Sequence, residues 1–235
     1  MAQPVCLITG AGDGTGAAIA RRFTQGGYRV ALLARTESRL LKLEGELAGA
    51  RAYVCDVGDL EHLKATIAQV RLDLGAPRIA VHNAVMAQLA RPLDADPAMF
   101  EKIFRVNVTA LMVLAQSVVP GMIESGDGGA LIVTGNTAAW RGKPNFSMFA
   151  PTKAAQRILA QAMARDLGPK GVHVAYLTID AAIDTPFTRP TMFPDKPDAF
   201  FCKPAAIADE AYHVAHQDPS AWSFDVEMRP SHENW

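Results

Sequence analysis

Apolar and polar positions fall into two alternating patterns along the chain. Val5-Cys6-Leu7-Ile8 is a short, wholly apolar run ending at Thr9-Gly10, as expected of a strand buried on both faces of a parallel sheet. Residues 17–25 then carry Ala17, Ile19, Ala20 and Phe23 at helical spacing, with Arg21 and Arg22 on the outside and Gly26-Gly27 as the stop. The alternation repeats: strand 28–34, a helix capped by Thr36 or Ser38 and ended by Gly49, strand 51–55, helix 59–74, strand 78–82. A Pro-bounded loop precedes a long helical pattern over 98–124, with a kink or early end expected at Pro120. Strand 130–134, helix 151–167 stopped by Gly168-Pro169, and strand 172–179 follow. Residues 185–204 hold five prolines and no periodicity, which predicts a loop or short helices covering a substrate. A helix over 205–216 and an edge-like strand over 223–228 complete the pattern.

Strands alternating with helices imply right-handed crossovers and an α/β, Rossmann-type doubly wound parallel sheet with helices on both faces. The 235 residues form one domain on this reading, since α/β units of that size are common. Ligands of such sheets lie at the carboxyl ends of the strands. That rule puts residues 10–16, Arg35, Asp56, His82-Asn83-Ala84, residues 134–137 and residues 180–185 on one rim. His82 there is either a cofactor contact or a packed histidine.

Composition narrows the partners. The 23 basic and 24 acidic residues nearly cancel, so neither nucleic acid nor a membrane surface is expected, only a small-molecule substrate and further copies of the chain. Cys6, Cys55 and Cys202 are scattered and lack C-x-x-C spacing, which fits a reducing compartment. No basic leader precedes the first strand and no stretch reads as long and apolar enough to cross a bilayer, so a cytoplasmic location is expected. His213 and His216 lie three apart on the last helix but have no acidic or cysteine partner at fitting distance, and they read as a surface pair with no metal.

The chemistry starts in the turn after the first strand. Gly10, Gly12, Asp13, Gly14, Thr15 and Gly16 join it to a helix, where glycines admit a tight turn and let backbone N–H groups approach a pyrophosphate at the helix N-terminus. Strand two ends in Arg35, where dinucleotide folds place an acid for the ribose hydroxyls or an arginine for a 2′-phosphate. Arg35 favours NADP over NAD, whereas Asp13 would repel a nearby 2′-phosphate.

With these residues the chain resembles the short-chain dehydrogenase/reductase family over nearly its whole length. The T-G-x-x-x-G-x-G turn, Asp56-Val57 after strand three, Asn83-Ala84, Asn107 in the long helix and Lys153 carry the resemblance. It implies that Asp56 and Val57 meet the adenine, Asn83 and Ala84 line the ribose region, and Thr185 reaches the nicotinamide carboxamide. By the same resemblance Asn107 holds a water beside Lys153, and Lys153 binds the nicotinamide ribose. The family assembles as homodimers or homotetramers through its two long helices.

The departures fall where the reaction happens. Four residues before Lys153, where the family has its proton-donating tyrosine, stands Phe149, and thirteen before that, in place of a serine, is Asn136. The resemblance extends to a subgroup with this phenylalanine and an unchanged lysine. His82 and Val85 also replace residues of the usual Asn-Asn-Ala-Gly element, Asp180-Ala181 stands for Pro-Gly, and residues 224–235 lack the usual Asp-Gly-Gly. Phe149 has no ionisable proton, but the Asn136 amide can polarise a carbonyl or cap its own turn. A proton can come from Lys153 or a water held with Asn107, from Thr137, Ser147, Asp180 or Asp184, or from no enzyme group at all. Two readings follow: an NAD(P)-dependent oxidoreductase of small carbonyls or alcohols with an atypical acid/base site, or an NAD(P)-binding protein without redox turnover.

Overall fold

The structure, a computed structural model, describes residues 3–232; positions 1–2 of the N-terminal lead and 233–235 of the C-terminal departure lie outside the described residues. In chain order it runs β1 (Val5–Thr9), α1 (Thr15–Gln25), β2 (Arg29–Ala34), α2 (Glu37–Glu46), β3 (Ala50–Val54), α3 (Leu60–Leu74) and β4 (Pro77–His82). Then come α4 (Pro97–Phe104), a π-helical turn (Arg105–Thr109), α5 (Ala110–Glu124), β5 (Gly129–Asn136), α6 (Ala150–Leu167) and β6 (Val172–Ile179). The chain closes with the short strands β7 (Ala182–Ile183) and β8 (Phe201–Cys202), α7 (Pro204–Ala215) and β9 (Asp225–Met228).

Seven strands form one sheet in the order β3-β2-β1-β4-β5-β6-β9. Every pairing in it is parallel. The doubly wound α/β fold expected from the sequence is therefore present. Alternate residues of each strand feed opposite layers. Leu7 of β1 and Ala80 of β4 join a cluster with Leu63, Ile67, Leu114 and Ala160 of α3, α5 and α6. Ile8 and Val81 join the opposite cluster with Ile19, Phe23, Leu40 and Ala211 of α1, α2 and α7. Each fully buried Leu or Ile contributes about 1.5–3 kcal/mol. Central strands sealed on both faces hold rigidly whatever their carboxyl ends present. The edge strand β9 is pinned by Asp225, which accepts from Arg157 Nε on α6 and from Thr178 Oγ1 on β6, each at 2.8 Å.

Some expectations need correcting. The second helix ends at Glu46 rather than at Gly49, because Leu47 turns extended (φ −119°, ψ 111°) and packs at the margin of the core. Gly49, at φ +80°, serves the turn into β3 instead. Pro120 does not end its helix: α5 runs to Glu124, held by buried Val118, Val119 and Met122 around it. Among the described residues one helical stretch, Pro97–Glu124 (28 residues), is long and apolar enough to cross a bilayer, with a mean hydropathy of 1.7 over an 18-residue window, contrary to the sequence reading. Its apolar length is spent on packing, since 61% of that window is buried inside the fold. The proline-rich segment is ordered by the β7–β8 pair and by Arg189, which bridges Asp184 and Asp198.

Candidate functional site

Because all strands run one way, their carboxyl ends bring the predicted rim together. The glycine turn packs against the end of β4. Gly10 has φ +72°, and a Cβ there would lie 2.7 Å from the Ala84 backbone, so only glycine fits. A Cβ on Gly16 would lie 2.2 Å from the Gly10 carbonyl, which sets the close approach of α1 to β1. Gly12 faces open space, with nothing within 4 Å of a Cβ. Behind it, α1 starts at Thr15 with no side chain capping it and no acid in its first turn. An uncapped, positively poled helix end beside an open glycine is a cradle for an anion such as a pyrophosphate.

Asn83 locks the cradle to the sheet, donating from Nδ2 to the Gly10 carbonyl at 2.9 Å and accepting from Thr134 Oγ1 at 3.1 Å. Ala84 donates its N–H to Thr9 Oγ1 at 3.4 Å. Thr185 closes the other side: its Cγ2 would sit 2.9 Å from a Cβ on Gly14, and its hydroxyl lies 2.8 Å from that of Thr188. Asp56 is exposed and accepts from the Gly58 N–H at 2.9 Å, while Val57 beside it is buried. Arg35 is exposed and forms no ion pair among the described residues. Arg39, one helical turn later and not singled out from the sequence, pairs with Asp13 at 3.1 Å. That pair neutralises the carboxylate expected to repel a 2′-phosphate.

His82 does not reach the rim. It is 1% exposed, its Nδ1 lies 3.2 Å from Thr9 Oγ1, and burial together with nearby Lys153 pushes its pKa down to about 3. The packed-histidine reading fits this burial. His213 and His216 lie at the surface end of α7, with His216 bonded to Tyr28, and no group of three metal-binding side chains occurs among the described residues.

The centre of the site lies where the π turn meets α6. A π turn widens the helix locally and is frequent at functional positions. Asn107 in that turn is fully buried, donating from Nδ2 to Met86 O at 3.0 Å and to Thr152 Oγ1 at 2.9 Å, and accepting from Met86 N at 2.9 Å. Thr152 Oγ1 donates in turn to the Phe149 carbonyl at 2.8 Å, so Asn107 holds the first turn of α6. Phe149 is the N-cap residue of α6, with its ring 8% exposed and tilted against Phe146.

Lys153 is 2% exposed and donates to Thr134 O at 3.1 Å and to Gln156 Oε1 at 2.8 Å. Burial pushes its pKa down to about 7. Gln156 in turn donates from Nε2 to Asn107 O at 2.6 Å. A side chain thus links the Asn107 carbonyl to Lys153. One signal was available: Gln156 is a long uncharged polar residue on the buried stripe it shares with Ala150, Thr152, Lys153 and Ala160.

Asn136 ends β5 and accepts from the Ala138 N–H at 3.1 Å, the turn-capping role, which leaves its Nδ2 as a donor. Beside it Thr137 Oγ1 donates to Asp180 Oδ1 at 2.9 Å, and Arg141 approaches the same carboxylate at 3.3 Å. Ser147 donates to Ala90 O at 2.7 Å and Asp184 accepts from Arg189 at 2.8 Å.

Comparison with known proteins gives the same frame. Residues 4–192 match the family described as short chain dehydrogenase. Human L-xylulose reductase is 32% identical over 168 residues, 72% of this chain and 67% of that protein. Human dehydrogenase/reductase SDR family member 4 is 32% identical over 196 residues, 80% of this chain and 69% of that one. Among solved structures, the alcohol dehydrogenase of the archaeon Thermococcus sibiricus complexed with 5-hydroxy-NADP superposes with a TM-score of 0.87 at 25% identity, over 98% of each chain. A short-chain dehydrogenase from Rhodopseudomonas palustris gives 0.83 at 28% identity, over 97% of this chain and 98% of that one.

Proposed function

The chain belongs to the short-chain dehydrogenase family, and from that premise we propose that it is an NAD(P)-dependent oxidoreductase acting on a small carbonyl or alcohol through an altered acid/base site. The observation that carries the proposal is the cradle: Gly10 fixed against Ala84, Gly12 open, and an α1 N-terminus that no side chain caps. Backbone N–H groups of residues 12–16 would hold the pyrophosphate, Asn83 and Ala84 the ribose region, and Asp56 with Val57 the adenine. Thr185 would meet the carboxamide and Lys153 the nicotinamide ribose. Arg35, with Arg39 cancelling Asp13, favours NADP over NAD.

The cofactor, when bound, supplies the hydride chemistry. The chain's part is to orient it and to polarise the substrate. Asn136 Nδ2 is a donor toward a carbonyl oxygen at the end of β5, which provides electrostatic stabilisation without proton transfer. Thr137 with Asp180 is the hydroxyl–carboxylate pair proposed to exchange a proton there. On Phe149 we assign the chain to the variant subgroup that keeps the lysine alone. A small-molecule substrate, self-association as a homodimer or homotetramer through the long helices, and a cytoplasmic location complete the proposal.

A second reading, a dinucleotide-binding protein without turnover, draws on Phe149 itself, because loss of a positioned acid costs about 10²–10⁴ in rate. Wild type and Phe149→Tyr, assayed on a carbonyl panel with NADPH and NADH, separate the two. Activity in the wild type that disappears in Lys153→Ala supports the enzyme; activity in Phe149→Tyr alone makes the natural protein a binder.

A further inference from the structure

Gln156 is fully buried one turn beyond Lys153 on α6. Its amide spans two groups with opposite needs. The protonated Lys153 Nζ has only hydrogens to give and the Asn107 carbonyl only lone pairs, so one orientation satisfies both: Oε1 toward the lysine at 2.8 Å and Nε2 toward the carbonyl at 2.6 Å. A glutamate of the same shape would meet the lysine and face the carbonyl with a second acceptor. A leucine would satisfy neither group, and a buried unpaired carbonyl or ammonium is costly. The other bond Lys153 makes is to Thr134 O at 3.1 Å, and the Asn107 side chain is already engaged with Met86 and Thr152. His82, the neighbouring titratable group, is kept neutral by burial and by the lysine.

We infer that Gln156 is the positioning residue of Lys153: it fixes the ammonium as a hydrogen-bond donor toward the cofactor ribose and seals the buried Nζ against proton exchange with solvent. The inference rests on the proposed cofactor role of Lys153 for its direction, but not for the seal. The chain lacks a phenol at position 149, and its lysine is bonded to a side-chain amide. Lys153 then holds the cofactor without supplying the proton. An amide built into the helix is also preorganised, whereas a bridging water has first to be immobilised.

The test reads the amine directly in the cofactor-free protein. Nitrogen-15 and carbon-13 lysine labelling follows the Lys153 ammonium by NMR in wild type, Gln156→Ala and the isosteric Gln156→Glu. The expected result is hydrogen exchange at Nζ faster by about tenfold or more in Gln156→Ala, and Lys153 titrating at a pH higher by about 1 or more in Gln156→Glu, where a carboxylate replaces the amide. Unchanged exchange in a folded Gln156→Ala would overturn the seal. An unchanged titration in Gln156→Glu would overturn the contact itself, and that variant decides the matter where the alanine fails to fold. Calorimetry with NADPH on the same samples separates the two levels: weaker binding in both variants supports positioning, and wild-type affinity in both overturns it. A wild type that binds neither cofactor while the seal behaves as expected overturns the cofactor role of Lys153 and the positioning with it, leaving the seal established.

Discussion

Replacing Lys153 by methionine probes the most heavily desolvated charge in the site. Burial holds the folded-state pKa of Lys153 at about 7, against an ordinary 10.5 in the unfolded chain. Between these values the unfolded chain binds a proton that the folded chain does not, so the lysine's contribution makes stability rise with pH. Below pH 7 both states are protonated and the full desolvation cost is present; above pH 10.5 it is gone. From pH 7 to pH 9.5 the contribution changes by about 3 kcal/mol, most of it at about 1.4 kcal/mol per pH unit. Methionine removes the titration and leaves Thr134 O and Gln156 Oε1 without their donor, a loss that does not vary with pH. Other groups with shifted pKa values, such as Cys6, Tyr28 and Tyr53, act equally in both proteins and cancel in the difference. Urea unfolding of wild type and Lys153→Met at half-unit steps from pH 6.5 to 9.5 gives the difference curve. It should rise by about 3 kcal/mol in favour of the wild type as pH increases. A flat curve would show that Lys153 is solvated in the folded protein and would refute the burial on which the reasoning depends.

Three further outcomes follow from the cradle and its rim. Gly10→Ala combines a left-handed φ with overlap on the Ala84 backbone and should lose roughly 2–5 kcal/mol in urea unfolding. Gly12→Ala has open space around its Cβ, so it should unfold like the wild type while calorimetry shows weaker dinucleotide binding; unchanged affinity would show that no phosphate lies there. Arg35→Ala should weaken NADPH by roughly 10- to 100-fold and leave NADH nearly unaffected, as read by fluorescence titration of both cofactors.

Much of this architecture was legible because its signals are local. The all-apolar run of β1, the glycine turn and the periodicity of α3 depend on residues near one another in sequence, and Asp59, where that helix was expected to begin, caps it by accepting from the His62 N–H at 3.0 Å. Val172–Ile179, buried at every position, coincides with its expected strand for the same reason. What escaped is what depends on contact across elements. Gln156 acquires meaning only once the π turn delivers the Asn107 carbonyl to α6, and Arg39 only once α2 packs beside the glycine turn. His82 was placed on the rim by strand position, yet its side chain points inward to Thr9. The early helix end allowed at Pro120 rests on a local rule, whereas α5 packs on to Glu124.

The central claim is that the glycine turn, Arg35 and Lys153 hold a nicotinamide dinucleotide. Isothermal titration of the full chain with NADPH and with NADH tests it most directly. The account predicts saturable binding of one dinucleotide per chain, tighter for NADPH than for NADH and weakened in Gly12→Ala. Heats of dilution alone for both cofactors would contradict it.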